Sequence, residues 1–527
     1  MIHFTGTGSM VRLAMRRDRL RLAVWLIAIP GLVYAQAAGI DSIYADRAEL
    51  AAAGRLVANN AAFIAMAGPP LALDTIGGRV TFEISAFAIV LAALMNVFLV
   101  TRHLRAEEET GRGELIRSAA VGRHATITAT LLVALAVDGL LAVLVAASLQ
   151  PFGLAAAGSW ALAIGVAGVG LVFAGIAAVT SQVTVSARAA SGLAGVALAV
   201  SFVVRGIGDI GSGTLSWFSP MGWGQALRPF AGERWWPVVL LLAAAAGLAA
   251  GAFAVNSHRD LGAGVLQPRP GPPRGSEALS RPAGLALRLH RATIVAWAVG
   301  LFLGGVAYGS IGSDVEDLIG DNEVMNDVIA QGGGNLIDAF LATTSLALAL
   351  ITAGFAVQGA LRLRSEELAG RAEPLLATAV SRRAWAGSHL LVVGAGVVLV
   401  VALAGSGTGV SYALVAGDAG DVPRLAAATL VYVPALLVLV GATFALVALA
   451  PRAAQLAWTW LALCVVVGYL GEVLDLPEWV RQLSPFEHVP KVPAEPFTVL
   501  PLLLLVAVAA GLWALGDAGL RRRDLQT

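Results

Sequence analysis

Ionisable side chains make up only 13% of this 527-residue chain. The places where they cluster are therefore the first candidates for chemistry. The densest cluster is LRAEEETGRGELIRSAAVGR, Leu104 to Arg123. It recurs as LRSEELAGRAEPLLATAVSR, Leu363 to Arg382, at a constant offset of 259 and without a gap. Ten of the twenty positions are identical, and six of those ten are charged: Arg105/Arg364, Glu107/Glu366, Glu108/Glu367, Arg112/Arg371, Glu114/Glu373 and Arg123/Arg382. Chance agreement in an apolar-rich chain would match Leu, Ala and Val instead, so the recurrence marks an internal duplication.

Other chemistry is thinly represented. Cys464 is the only cysteine, which leaves no disulfide framework and no cysteine metal cluster. The seven histidines are scattered, with no HExxH pattern and no paired carboxylates inside an apolar run. A membrane enzyme is disfavoured on that ground, and no catalytic or metal-binding residue is assigned. A phosphate-binding Walker loop needs Gly-Lys-Ser/Thr, whose backbone amides and lysine hold the phosphates. The only lysine, Lys491, lies between Pro490 and Val492.

The elements that must position the two polar islands are membrane spans. The chain is 58% hydrophobic with mean hydropathy +0.79, against roughly 45–50% apolar for a soluble domain. Its apolar runs are about twenty residues long, the length that crosses a bilayer as a helix. Spans are expected near 22–40, 79–102, 125–149, 154–179, 191–210 and 235–255. A second set is expected near 292–311, 336–361, 387–404, 425–448, 456–474 and 499–515. The fold class is an all-α polytopic membrane protein of about twelve transmembrane helices in two tandem six-helix halves. The halves are residues 1–260 and 291–527, joined by a linker at 261–290 rich in Pro, Gly and Arg. Ahead of the first span, Arg12, Arg16 and Arg19 share one side and Met10, Leu13 and Leu20 another. That segment suits either a short amphipathic helix on an anionic leaflet or a plain positive-inside anchor.

Placing the N-terminus in the cytoplasm puts 26 of the 35 basic residues inside, the positive-inside pattern. Both termini and both islands then face the cytoplasm of a multi-pass plasma-membrane protein. The loop from Asp314 to Asp327, with six acidic residues and no base, falls outside. Within each island Gly111 and Gly370 stand where a long helix would stop in a left-handed cap. Pro374 suits the first turn of a new helix, and Glu114 and Glu373 lie at that helix's N-terminus, where the dipole favours an anion. Each island thus reads as a span extension, a glycine break and a short surface helix. Glu108/Arg112 and Glu367/Arg371, four apart, are expected to pair across the break.

The pattern Glu-Glu-x-x-Gly-Arg-x-Glu, followed by an apolar helix and Val-x-Arg, resembles the loop after the second span of ABC exporter permeases of the second type. Ser219-Pro220 and Ser484-Pro485-Phe486 resemble that family's Ser-Pro-aromatic element before the sixth span, although Met221 follows the first pair. The likeness is strongest to fused twelve-span permeases of actinobacterial multidrug exporters, including those of tetronasin-type resistance. It implies a permease that exports amphipathic small molecules and needs two copies of a cytoplasmic ABC ATPase subunit. ATP and magnesium would bind in that partner, with no cofactor in this chain and no nucleic-acid role. It further implies that Glu107, Glu108, Gly111, Arg112 and Glu114, with Glu366, Glu367, Gly370, Arg371 and Glu373, couple the ATPase to the spans. In the resembled family the second and fifth spans of each half line the substrate path. Here they carry Phe82, Phe87, Asn96, Phe98 and Phe202, then Phe340, Phe355, Gln358, Trp458, Trp460 and Tyr469.

The competing class is a twelve-span secondary transporter driven by an ion gradient, which would need ionisable groups inside the membrane. Asp138 lies mid-span, but its counterpart at the 259 offset is Val397. Asp138 reads better as a helix-packing carboxylate facing polar neighbours. Glu83 lies near the outer end of its span, and Arg205 and Asp209 read as an interfacial pair four residues apart.

Overall fold

A long apolar run in hydrocarbon can satisfy its own backbone amides only as a helix, and that is the element the chain repeats. The computed structural model describes residues 2–43, 47–58, 61–113, 118–260, 262–265, 273–309, 336–470 and 476–523. Among the described residues eleven helices are long and apolar enough to cross a membrane, and a twelfth apolar helix is shorter. No strand occurs among those residues. The acidic loop at 314–327, Glu114, parts of the linker, and the outer ends of the spans expected to reach 311 and 474 lie outside them.

The chain divides into two compact units, Met1–Gly271 and Pro272–Thr527. The first holds α1 (Thr7–Ile43), α2 (Ile76–Glu109), α3 (Ala125–Ser148), α4 (Ala156–Val183), α5 (Ala187–Ile210) and α6 (Pro237–His258). The second holds α7 (Pro282–Gly309), α8 (Leu336–Leu368), α9 (Arg382–Ala416), α10 (Asp421–Leu449), α11 (Leu456–Leu470) and α12 (Val499–Arg522). Within the first unit α1 packs on α3, α2 on α4, and α4 on α6. Within the second α7 packs on α9, α8 on α10, and α10 on α12. The pairing scheme is the same.

Helices α2 and α8 are 34 and 33 residues long, about 50 Å at 1.5 Å per residue. A hydrocarbon core of roughly 30 Å is crossed with length to spare, and the surplus carries the islands. The basic segment Arg12–Arg21 is not a separate surface helix. It runs unbroken into α1, which spans 37 residues. It is held there by Asp18, which accepts from Arg102 (2.9 Å) and is bonded to His103 (2.7 Å) on the extension of α2.

A polar contact joins two helices deep in the core of the first unit. Asn96 on α2 donates to Asp138 on α3 at 3.0 Å, and both side chains are fully buried. Helix α4 passes beside them at Gly170, where a Cβ would stand 2.7 Å from Asp138 Oδ1 and 2.8 Å from Asn96 Nδ2. Small residues at such crossings let membrane helices approach closely. Asp138 is thus a packing carboxylate with a polar neighbour. Gly170→Val should overpack this crossing and cost about 1–3 kcal/mol, seen as a lowered melting temperature in detergent. Gly139→Ala on α3, where the added methyl meets nothing, should leave the melting temperature unchanged or raised.

Candidate functional site

The first island begins where α2 leaves its regular path. A π-helical turn, Arg102–Ala106, leads into Glu107–Glu109, and the helix then stops. Gly111 takes φ +73°, and its amide donates to the Glu108 carbonyl at 3.1 Å. The second island ends α8 in the same manner. Gly370 takes φ +66°, its amide reaches the Glu367 carbonyl (2.9 Å), and the Arg371 amide reaches the Glu366 carbonyl (3.0 Å). That pair of bonds is a Schellman cap with glycine at the left-handed position. The short helix Ala372–Leu376 follows, with Glu373 exposed in its first turn. The left-handed stops expected at both glycines are present.

The charges sort into two sets. Glu107, Glu366 and Glu367 are buried and Glu108 nearly so, each held by arginines. Glu107 accepts from Arg17 of α1 at 2.5 Å. Glu108 accepts from Arg105 (2.8 Å) and, through both oxygens, from the two terminal nitrogens of Arg259 (2.8 and 2.5 Å). Glu366 accepts from Arg362 (3.3 Å) and Arg371 (2.8 Å). Glu367 accepts from Arg364 (3.0 Å) and Arg523. Arg112 and Glu373 form the other set: they are exposed.

The expected pairs Glu108/Arg112 and Glu367/Arg371 do not form. A pair four apart needs a continuous helix between its members, and the left-handed glycine reverses the chain before the arginine. Arg371 folds back to Glu366 instead, and Glu108 and Glu367 are taken by arginines from the end of another helix. Forked guanidinium–carboxylate contacts are the stronger kind.

Those arginines, Arg259 just beyond α6 and Arg523 just beyond α12, were not among the expected site residues. A sequence signal exists: Arg259-Asp260-Leu261 and Arg523-Asp524-Leu525 close the two sixth spans alike. The recurring arginines at the far ends of the islands meet the same places. Arg123 donates to the carbonyls of Asn256 (2.8 Å) and Arg259 (2.9 Å). Arg382 donates to those of Leu520 (3.2 Å) and Arg523 (2.7 Å). Cations there satisfy the open carbonyls of a helix C-terminus. In the first unit Arg105 also holds the carbonyls of Gly262 (2.7 Å) and Ala263 (3.1 Å). Arg259 reaches Gln182 on α4 as well (2.7 Å).

The path candidates divide by packing. Asn96 is spent on Asp138, Phe82 packs with Ala67 and Leu73, and Phe355 is buried beside Trp297. These three are enclosed because the face they occupy meets another helix. Phe202 lies under the buried guanidinium of Arg205, 4.6 Å away. That arginine also reaches the Met66 carbonyl (3.1 Å) and Asp209 (3.4 Å), so it ties α5 to the segment before α2 and does more than an interfacial pair would. Phe340 is half-buried beside Leu341 and Tyr412, and Trp460 donates to the Leu483 carbonyl (3.1 Å). Phe87, Phe98, Trp458 and Tyr469 are exposed. Gln358 is exposed and accepts from Trp297 (2.8 Å).

Each unit has a cleft beside its island. In the first it measures about 630 Å³, lined by Trp25, Met95 and Phe98 under Arg21, Arg102 and Arg188. In the second it measures about 320 Å³, lined by His290, Gln358, Trp458 and Gln455. Both volumes fall in the range that holds organic ligands.

An array of membrane-length helices in each of two units, with buried polar tethers at its island, defines a multi-pass membrane protein. Residues 279–521 match the family model described as "Multidrug efflux system permease Rv1217c, C-terminal domain". The whole chain is 39% identical to the Multidrug efflux system permease protein Rv1217c of Mycobacterium tuberculosis (strain ATCC 25618 / H37Rv), over 99% of this chain and 96% of that one. The chain belongs to this family of multidrug efflux permeases and is a multi-pass protein of the cell membrane.

The glycine stops carry a test of their own. Gly370→Ala forces a side chain into the left-handed region and should cost about 1–2 kcal/mol. The expected reading is a lower melting temperature for the purified protein.

Proposed function

We propose that this permease is the membrane-spanning subunit of an ATP-driven ABC exporter that moves amphipathic drugs or antibiotics out of the cell. Two copies of a cytoplasmic ABC ATPase would dock, one under each island, and would carry the ATP and magnesium. The observation that supports this reading is the division of charge within the repeated turn. Glu107, Glu108, Glu366 and Glu367 are turned inward and tied to the protein, which fixes the posture of each break. Arg112 and Glu373 are turned outward and left available to a docking partner; Glu114 is the sequence counterpart of Glu373.

A push on the short helix would pass through the glycine turn into the long rigid helix above it. Because α2 and α8 are continuous from the island into the membrane, displacement at one end moves the other. The substrate path would then switch from inward- to outward-facing. The clefts beside the islands, with Phe98 in the first and Gln358 and Trp458 in the second, suit an amphipathic molecule arriving from the inner leaflet.

Two experiments test the reading. Reversing charge at Glu373 and at its sequence counterpart, Glu373→Arg with Glu114→Arg, should abolish co-purification of the ATPase and lower drug-stimulated hydrolysis about tenfold or more, a loss of roughly 1.4 kcal/mol. Normal association and stimulation in that variant would remove the coupling role. In inside-out vesicles, drug uptake should require ATP and persist when the proton gradient is collapsed. Uptake that follows an imposed proton gradient without ATP would instead make the chain a secondary transporter.

A further inference from the structure

We propose that Arg259 and Arg523 are positioning residues that lock each island to the end of the sixth helix of its own half, so that loop and helix move as one body. The role in coupling rests on the export reading above; the mechanical link does not.

The observation is the same contact built twice. Glu108 is gripped by Arg105 from its own helix and by both nitrogens of Arg259 from beyond α6. Glu367 is gripped by Arg364 and by Arg523 from beyond α12. In both units the far end of the island returns to that helix end, through Arg123 to Asn256 and Arg259 and through Arg382 to Leu520 and Arg523. The sixth helix end is thus held from both sides of the loop. The carboxylates are 12% and 1% exposed, so water competes little for them, and in the first unit the forked Arg259–Glu108 pair fixes direction as well as distance.

A solvated loop would need none of this. The rest of each island differs between the copies: Glu107 uses Arg17 of α1, whereas Glu366 uses Arg371 of its own turn. Two contacts keep partner type and helix of origin in both units: the arginine three residues before each carboxylate, Arg105 and Arg364, and the arginine beyond the sixth helix. The second of these reaches across to another helix, and its recurrence assigns it a common mechanical duty, carrying motion of the loop to the sixth helix as well as to the long helix that bears it.

Hydrogen exchange on the purified full-length permease, without any partner subunit, tests the link. Arg259→Ala should speed amide exchange about tenfold in both Leu104–Gly111 and Ala254–Arg259, two segments far apart in sequence, because they open together. Glu108→Ala should do the same. The double variant should fall well short of the product of the two singles, since both remove the shared contact. Arg523→Ala and Glu367→Ala should repeat the pattern in the second unit. The link is refuted if only the mutated segment loosens, if neither does, or if the effects of the two singles multiply. It is refuted equally if exchange rises throughout Val133–Val145 of α3, which would mark general destabilisation. Because no ATPase enters the measurement, the link can fail while ATP-driven uptake stands, and the reverse.

Discussion

Hydrocarbon supplies no hydrogen bonds, so a charge in this chain must find its partner inside the protein or reach the end of a helix. That constraint organises most of what is polar here. Asp138 is enclosed mid-membrane and meets Asn96. Arg205 is buried near a helix end and collects Asp209 and a backbone carbonyl. Many of the remaining charges gather in the two islands, where the surplus length of α1, α2 and α8 lifts them out of the apolar zone. There each glutamate that turns inward is met by one or more arginines.

Much of this was legible in the sequence, for a simple reason. Span length and the glycine stops are local properties, written in runs of residues and in the one residue type that tolerates positive φ. Gly111 and Gly370 therefore read correctly from the chain alone. Partners were harder. Spacing suggests Arg112 for Glu108, but spacing assumes that the helix continues, and the same glycine that was read correctly removes that assumption. The true partner, Arg259, comes from a helix end 151 residues away. Aromatics on spans two and five gave still less, because sequence does not say which face of a buried helix meets another helix. Phe82 and Phe355 are packed away while Phe87 and Phe98 are not.

The two units also show what a duplication keeps and what it lets go. Asn96 and Asp138 belong to one unit alone, with Val397 at the second carboxylate's place. Glu107 and Glu366 retain their charge but change partners. The glycine stop, the carboxylate three residues before it and the arginine beyond the sixth helix remain together. Interior packing has alternatives of equal quality, such as an apolar contact for a polar one. A contact that fixes the orientation of a surface turn has fewer.

The order of synthesis gives the arginine beyond α6 another meaning. Asp138 follows Asn96 in the chain, so its partner already exists when α3 enters the membrane, and the two helices can insert as a pair. Glu108 has no such provision. Arg259 leaves the ribosome 151 residues later, roughly 8 to 30 s at 5–20 residues per second. During that interval the island is attached through its own helix, the N-terminal segment with α1 and, once it is made, the start of α5, where Glu109 accepts from the Ala187 amide. It reaches its final posture when the sixth helix is complete, so a truncated half would present an unfinished loop to the cell's quality control.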